Sequence, residues 1–208
     1  MYNSFFKRFF DLIISFFAIL LLLPLILLIS LLIKADSKGP VLFRQKRIGK
    51  NKQTFQIYKF RTMRIDAPHD VPTHLIKDPE AYLTRVGKVL RKTSLDELPQ
   101  LFNILAGQMS IVGPRPALWN QDDLIAERDR YGANELTPGL TGWAQINGRD
   151  ELEIPEKARL DGEYAANLSL AFDLKCLLGT VSAVLSRNGL VEGGTGRTKH
   201  AERDDQNH

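Results

Sequence analysis

One cysteine, Cys176, is all that this 208-residue chain offers for thiol chemistry, and histidine is scarce, at four residues. A single cysteine excludes an internal disulfide and fits a reducing compartment. His69 and His74 fall in a stretch rich in Asp and Pro, lack a metal-ligand spacing, and are read as solvent-facing. No internal repeat is present, which excludes a solenoid or propeller. A strong excess of either charge is also missing: 28 Lys and Arg against 24 Asp and Glu leave a net charge of +4. That moderate basic balance suits an anionic membrane surface, a phosphorylated substrate or nucleic acid. No nucleic-acid recognition motif accompanies it, and the cations crowd beside an apolar segment, so nucleic acid is not expected as a partner. The length allows one domain with a real core, plus appendages.

Long apolar runs are absent except for one. Leu12–Ile33 comprises 22 almost wholly apolar residues, enough to cross a bilayer core. A cleaved signal peptide would have a shorter apolar region and a small-residue cleavage site; Lys34-Ala35-Asp36-Ser37-Lys38 follows instead, so the segment is expected to be retained. Lys7 and Arg8 precede it and Lys34 and Lys38 follow it, so the positive-inside rule gives no orientation. Pro24, near the middle, removes one helical hydrogen bond and kinks the chain. Hydropathy alone favours a kinked spanning helix, while a hairpin returning to the cytoplasmic face would satisfy both charged flanks. Asp11 lies one turn inside the boundary, at headgroup level.

Val41-Leu42-Phe43 and Thr54–Phe60 are strand-like, with Gly49–Lys52 as a hairpin turn between them. Most of the cations from Arg44 to Arg64 are read as lipid-headgroup contacts, but Lys59 and Arg61 end a strand and are candidates for a site. Residues 65–79 form a loop. Glu80–Leu90 is expected to be helical, through Leu83, Val86, Val89 and Leu90. Trp119–Tyr131 and Ala158–Ala166 are further helices. Asp173–Arg187 is amphipathic, with Leu174, Leu177, Leu178, Val181, Val184 and Leu185 on one stripe; packing onto the domain is the expected role, lying on a bilayer the alternative. Residues 193–208 are charged and poor in apolar side chains, an expected disordered tail.

The stretch from Arg91 to Pro116 holds most of the chemistry. Ser94-x-x-Glu97 reads as a capping box, placing Asp96 and Glu97 in the first turn of a helix, where phosphate or a reacting carboxylate is stabilised. Such an acidic pair can equally be a plain helix cap. Arg115, between Pro114 and Pro116, is presented with little backbone freedom, and its planar fork suits phosphate oxygens. Pro138–Arg149 contains three glycines, Trp143, two amides and Arg149, and could cradle a nucleotide or sugar or serve as core.

Four segments carry a family resemblance: Tyr58-Lys59-Phe60-Arg61-Thr62-Met63, Ser94–Asn103, Met109–Pro116 and Pro138–Gln145. In this order the chain resembles the small monotopic polyprenyl-phosphate phosphoglycosyl transferases, bacterial enzymes that begin glycan assembly on a lipid carrier. The likeness reaches from the basic start to about Glu192. It implies a predominantly helical α/β fold: a re-entrant membrane helix over residues 1–38, a cytosolic catalytic domain over 39–192 with a small β-hairpin and amphipathic surface helices, and the tail. It implies that Asp96 attacks the β-phosphate of a UDP-sugar and expels UMP, and that polyprenyl phosphate then takes the sugar phosphate from Asp96. Glu97, with Asp96, would hold Mg²⁺; Arg115, Lys59 and Arg91 would grip phosphate or carboxylate; Thr141, Gly142, Trp143, Gln145 and Arg149 would form the nucleotide or sugar loop. Partners implied are the UDP-sugar, polyprenyl phosphate, bacterial inner-membrane lipids on the cytoplasmic side and, as an option, a second copy of the chain. One departure stands out: Leu23 replaces the serine usual before the hairpin proline. A non-catalytic membrane-anchored scaffold is the rival class.

Overall fold

The computed structural model describes residues 4–68, 76, 78–148 and 152–185. His69, His74, Arg149 and the expected tail lie outside them.

Helix α1, Ser4–Asp36, is 33 residues of continuous helix with Pro24 inside it, about 50 Å at 1.5 Å per residue. It therefore starts well before, and ends after, the apolar run. Its inward stripe steps by three or four residues: Lys7, Asp11, Ser15, Ala18, Leu22, Ile26, Ile29, Ile33 and Asp36 are buried or half-buried, the spacing of one helical face. The opposite face exposes Phe5, Phe9, Phe17, Leu21, Leu27 and Leu31, and Pro24 is on that open side.

Both ends of α1 are tied to the rest of the fold. Near the start, Lys7 Nζ meets Asp173 Oδ2 at 2.6 Å, Arg8 donates to the carbonyl oxygens of Ile104 and Leu105, and Asp11 Oδ1 accepts from Ile111 N at 2.9 Å. Asp11 is thus buried in protein, 5 % exposed, not held at headgroup level. At the other end Asp36 Oδ2 accepts from Val86 N, and Arg61 donates to Ser37 O, Ser37 Oγ and Lys38 O. Those acceptors explain why Arg61 leaves the site region: the orphan carbonyls at a helix end need donors.

The expected hairpin forms. Strand β1, Leu42–Ile48, pairs antiparallel with β2, Thr54–Phe60, with Leu42 opposite Phe60 and Ile48 opposite Thr54. One face, carrying Ile57, packs with Leu101 and Ile104; the other sends Phe60 against Ile26, Ile29, Ile33 and Leu90. The helix expected from Glu80 is interrupted: a 3-10 turn, Pro79–Tyr82, precedes α2, Arg85–Thr93, whose start is fixed by Thr84 Oγ1 accepting from Gly87 N. Helix α3, Gln100–Leu105, follows, then strand β3, Ser110–Val112. Helix α4 is limited to Asp122–Asp129. Strand β4, Gly139–Thr141, pairs parallel with β3; a one-turn helix α5, Trp143–Ile146, and helix α6, Ile154–Ala166, complete the approach to α7, Leu170–Leu185. The segment read as an irregular loop after Pro138 thus contains a strand and a helical turn.

Helix α7 reverses the packing expected of it. Asp173 and Cys176 face inward, while Leu174, Leu178 and Val181 are 51 %, 72 % and 57 % exposed. Tyr164 explains the inversion: its hydroxyl donates to Asp173 Oδ1 at 2.6 Å, and Asp173 also receives Lys7. This polar triad turns the acidic edge of α7 inward and Leu174 and Leu178 outward, while Leu177 stays packed against Val112, Tyr164 and Cys176.

Candidate active site

Helix α2 ends at Ser94, a non-glycine residue at φ +55°. The left-handed residue redirects the chain into a 3-10 turn, Leu95–Glu97, in which the Ser94 side chain makes no capping bond. The capping box read from Ser94-x-x-Glu97 therefore does not form; Ser94 closes the helix before it rather than opening the one after it. The consequence is that Asp96 and Glu97 sit on a tight turn between two helices. Asp96 is buried, at 4 % exposure.

Glu97 collects two cations on one oxygen. Lys59 Nζ lies 2.8 Å and Arg115 Nη2 2.7 Å from its Oε1. Burial pushes the Glu97 carboxyl up, but the charges of Arg115 and then Lys59 outweigh it and hold the carboxyl well below the usual carboxylate range. It is a permanent anion at neutral pH. Lys59 arrives from the end of β2, on the strand face that carries Ile57.

Arg115 is held by its backbone surroundings as well as by its prolines. Gly113 N donates to Thr141 O, and Gly139 N to Pro114 O, each at 2.8 Å. Arg47 Nη1 donates to Pro116 O at 3.1 Å. The two segments approach so closely that a Cβ on Gly139 would lie 2.1 Å from Gly113 N, and one on Gly142 2.1 Å from Gly113 O. The glycines of the 138–142 segment thus seat Arg115. This role was missed in the sequence, where Gly113 and the pair Gly139 and Gly142 were its signal.

The remaining candidates divide. Arg91 donates Nε to Thr62 Oγ1 at 3.0 Å, a partner the sequence did not suggest. Thr141 shares a 2.6 Å hydroxyl contact with Thr180 of α7. Trp143 packs edge-on against Phe172, ring centroids 5.0 Å apart, beneath the Lys175 ammonium. Gln145 Nε2 points to Leu140 O. These three side chains make contacts within the chain, and Thr141 and Trp143 join the segment beside Arg115 to α7.

Among the described residues no three His, Cys, Asp or Glu side chains gather as a ready metal cage. Mg²⁺ does not require one: it is typically held by one or two carboxylates, water and substrate phosphates. Asp96 and Glu97, adjacent hard-oxygen donors, fit that pattern.

Residues 2–187 match the family model described as bacterial sugar transferase. The chain belongs to the bacterial sugar transferase family. The transferase is 42 % identical over 195 residues to the exopolysaccharide production protein PSS of Rhizobium leguminosarum bv. phaseoli, covering 87 % of this chain and 96 % of that one. It is 41 % identical to the sugar transferase EpsL of Bacillus subtilis, over 89 % and 90 % of the two chains. Against the UDP-glucose:undecaprenyl-phosphate glucose-1-phosphate transferase of Escherichia coli the identity is 40 %, over 86 % of this chain but 40 % of that longer relative. Membership of a transferase family removes the non-catalytic scaffold from consideration.

Proposed function

We propose that this transferase moves a sugar 1-phosphate from a UDP-sugar to undecaprenyl phosphate, or a similar polyprenyl phosphate, and releases UMP. The observation that carries the reading is the buried Asp96 beside Glu97, with Lys59 and Arg115 converging on the latter. The names of the Escherichia coli and Klebsiella pneumoniae relatives, both UDP-glucose:undecaprenyl-phosphate glucose-1-phosphate transferases, support it.

In this reading an Asp96 carboxylate oxygen attacks the β-phosphorus of the donor. The bond from that phosphorus to the bridging oxygen breaks, UMP leaves with the electron pair, and the sugar phosphate remains as an acyl phosphate. A phosphate oxygen of the lipid acceptor then attacks the same phosphorus, the Asp96 carboxylate is restored, and a polyprenyl-diphosphate sugar departs. Splitting the displacement lets two bulky anions use one site in turn. Arg115 and Lys59 hold phosphoryl oxygens as charge develops, Arg91 supplies a further cation, and the 139–145 segment keeps Arg115 in place. When bound by Glu97 and Asp96, Mg²⁺ would supply neutralisation of the diphosphate charge.

The membrane arrangement follows from two outward apolar faces. Those of α1 and α7 are proposed to enter the cytoplasmic leaflet, with the folded part on the cytoplasmic side. Since Lys7, Arg8 and Asp11 at one end of α1 and Asp36 and Ser37 at the other all bond to the same fold, a monotopic, re-entrant arrangement is favoured over a span. The product suits the first membrane step of a capsule, exopolysaccharide, O-antigen or glycoprotein pathway. Release of UMP over a panel of UDP-sugars, with Mg²⁺ and undecaprenyl phosphate in detergent, tests the reading. Turnover of at least one donor is expected; none with any donor would refute it.

A further inference from the structure

Gln100 opens helix α3, four residues after Asp96, and is 1 % exposed. Among the described residues neither its Nε2 nor its Oε1 has a hydrogen-bond partner, and it is the one amide there with both polar atoms buried in this way. Asn103, on the same short helix and wholly buried, shows what an amide there does when it is structural. Its Nδ2 donates to Gln56 O and Gln108 Oε1, both at 2.7 Å, and its Oδ1 accepts from Tyr58 N at 2.9 Å. Asn103 uses all its polar groups to tie the helix to the hairpin and to Gln108, while the amide of Gln100 bonds to none of the described residues. A buried amide without a partner is a cost that an apolar side chain of the same size would remove.

Position gives that cost a purpose. Leu98 and Pro99 are both right-handed helical, so the backbone runs as continuous turns from the Leu95–Glu97 turn into α3. Residues four apart on such a path have Cβ atoms about 6 Å apart, within reach of a group attached to Asp96. We infer that Gln100 is a substrate-contacting residue for the phosphosugar transferred through Asp96: its Nε2 donates to a phosphoryl oxygen, and its Oε1 accepts from a sugar hydroxyl. The amide carries both donors and an acceptor and no charge. It adds directional bonds without disturbing the balance struck by Glu97, Lys59 and Arg115. This inference rests on the reaction proposed above.

The full-length protein in detergent provides the test, with Gln100→Met and Gln100→Leu beside wild type. Each is incubated with Mg²⁺ and UDP-glucose, or whichever UDP-sugar the wild type turns over, without lipid acceptor. The rate of mass gain at Asp96 and the thermal midpoint are both recorded. The expected result is a midpoint equal to or above that of wild type, because an idle buried amide has been replaced by apolar atoms, together with loading slowed roughly 10- to 100-fold. Wild-type loading in either folded variant would overturn the inference while leaving the reaction intact. Failure of both variants to fold would mean the amide is bonded within the chain and would overturn it as well. An inactive wild type would refute the reaction itself, and this inference with it.

Discussion

Replacing Gly142 by alanine probes the seat of Arg115 with almost no change in chemistry. Gly142 has φ 178°, extended backbone open to any residue, so alanine meets no conformational penalty there. The penalty is steric: the new Cβ would stand 2.1 Å from Gly113 O, 2.7 Å from Gln145 Oε1 and 2.9 Å from Gly113 C. Gln145 can swing away, but the Gly113 carbonyl, on a residue whose N–H is bonded to Thr141 O, can yield only by moving the Gly113–Arg115 backbone. Overpacking of this kind costs about 1–3 kcal/mol, or roughly 3–10 °C in the unfolding midpoint for a chain of this size. Because the displaced segment carries Arg115, UMP release per folded molecule is expected to fall as well. Gly132→Ala is the control. Gly132 has φ +66°, and a Cβ there would meet no atom within 4 Å, so alanine costs about 1–2 kcal/mol through the left-handed backbone alone. That variant should lose stability and keep its activity per folded molecule. Gly142→Ala with wild-type midpoint and wild-type turnover would refute the close-approach account.

Three further outcomes are expected. Arg115→Lys keeps the charge but loses the planar fork, so UMP release should fall severalfold or more with membrane insertion unchanged; full activity would reduce the Pro-Arg-Pro segment to a stiff turn. Glu97, whose folded carboxyl is held below its ordinary 4.5, contributes stability above that pH and loses it as pH falls through the lower folded value; the stability gap between wild type and Glu97→Gln, of the order of 2 kcal/mol, should therefore be constant near neutrality and narrow under acid, and a gap that widens below pH 4.5 would contradict the pairing. Single cysteines at Ser4 and Lys38, in a Cys176→Ala background, should both resist a membrane-impermeant thiol reagent in intact cells; labelling of either from outside would make α1 a span.

Local patterns were legible in the sequence where one face of an element decides its fate. The hairpin, the presence of α1 and the C-terminal end of α6 follow from apolar spacing and turn residues, although both helices begin earlier than the apolar pattern does. Patterns failed where a distant polar partner overrode them. The leucines of α7 look like a core stripe, yet Lys7 and Tyr164, 166 and 9 residues away from Asp173, claim the other edge of the helix. Ser94-x-x-Glu97 fits a capping box, but Thr84 holds the cap at the preceding helix and Ser94 adopts a left-handed turn. The β3–β4 pair is three residues a side, too short for alternation to announce, and its parallel register depends on a chain crossing invisible to local spacing. For the site, Asp96, Glu97, Lys59 and Arg115 were all named from the sequence, and the structure brings the last three into direct contact. The idle amide of Gln100 could not be seen there, because only packing reveals that none of the described residues bonds to it.

The central claim is that Asp96 carries the sugar phosphate, and one measurement addresses it directly. Wild-type protein with Mg²⁺ and an active UDP-sugar, but without polyprenyl phosphate, should release UMP and gain the mass of one sugar phosphate at Asp96. Addition of the lipid acceptor should discharge that mass, and Asp96→Asn, folded and membrane-bound, should show neither step. Rapid turnover by Asp96→Asn, or a strict requirement for the acceptor before any UMP appears, would contradict the covalent route and leave direct transfer between the two substrates.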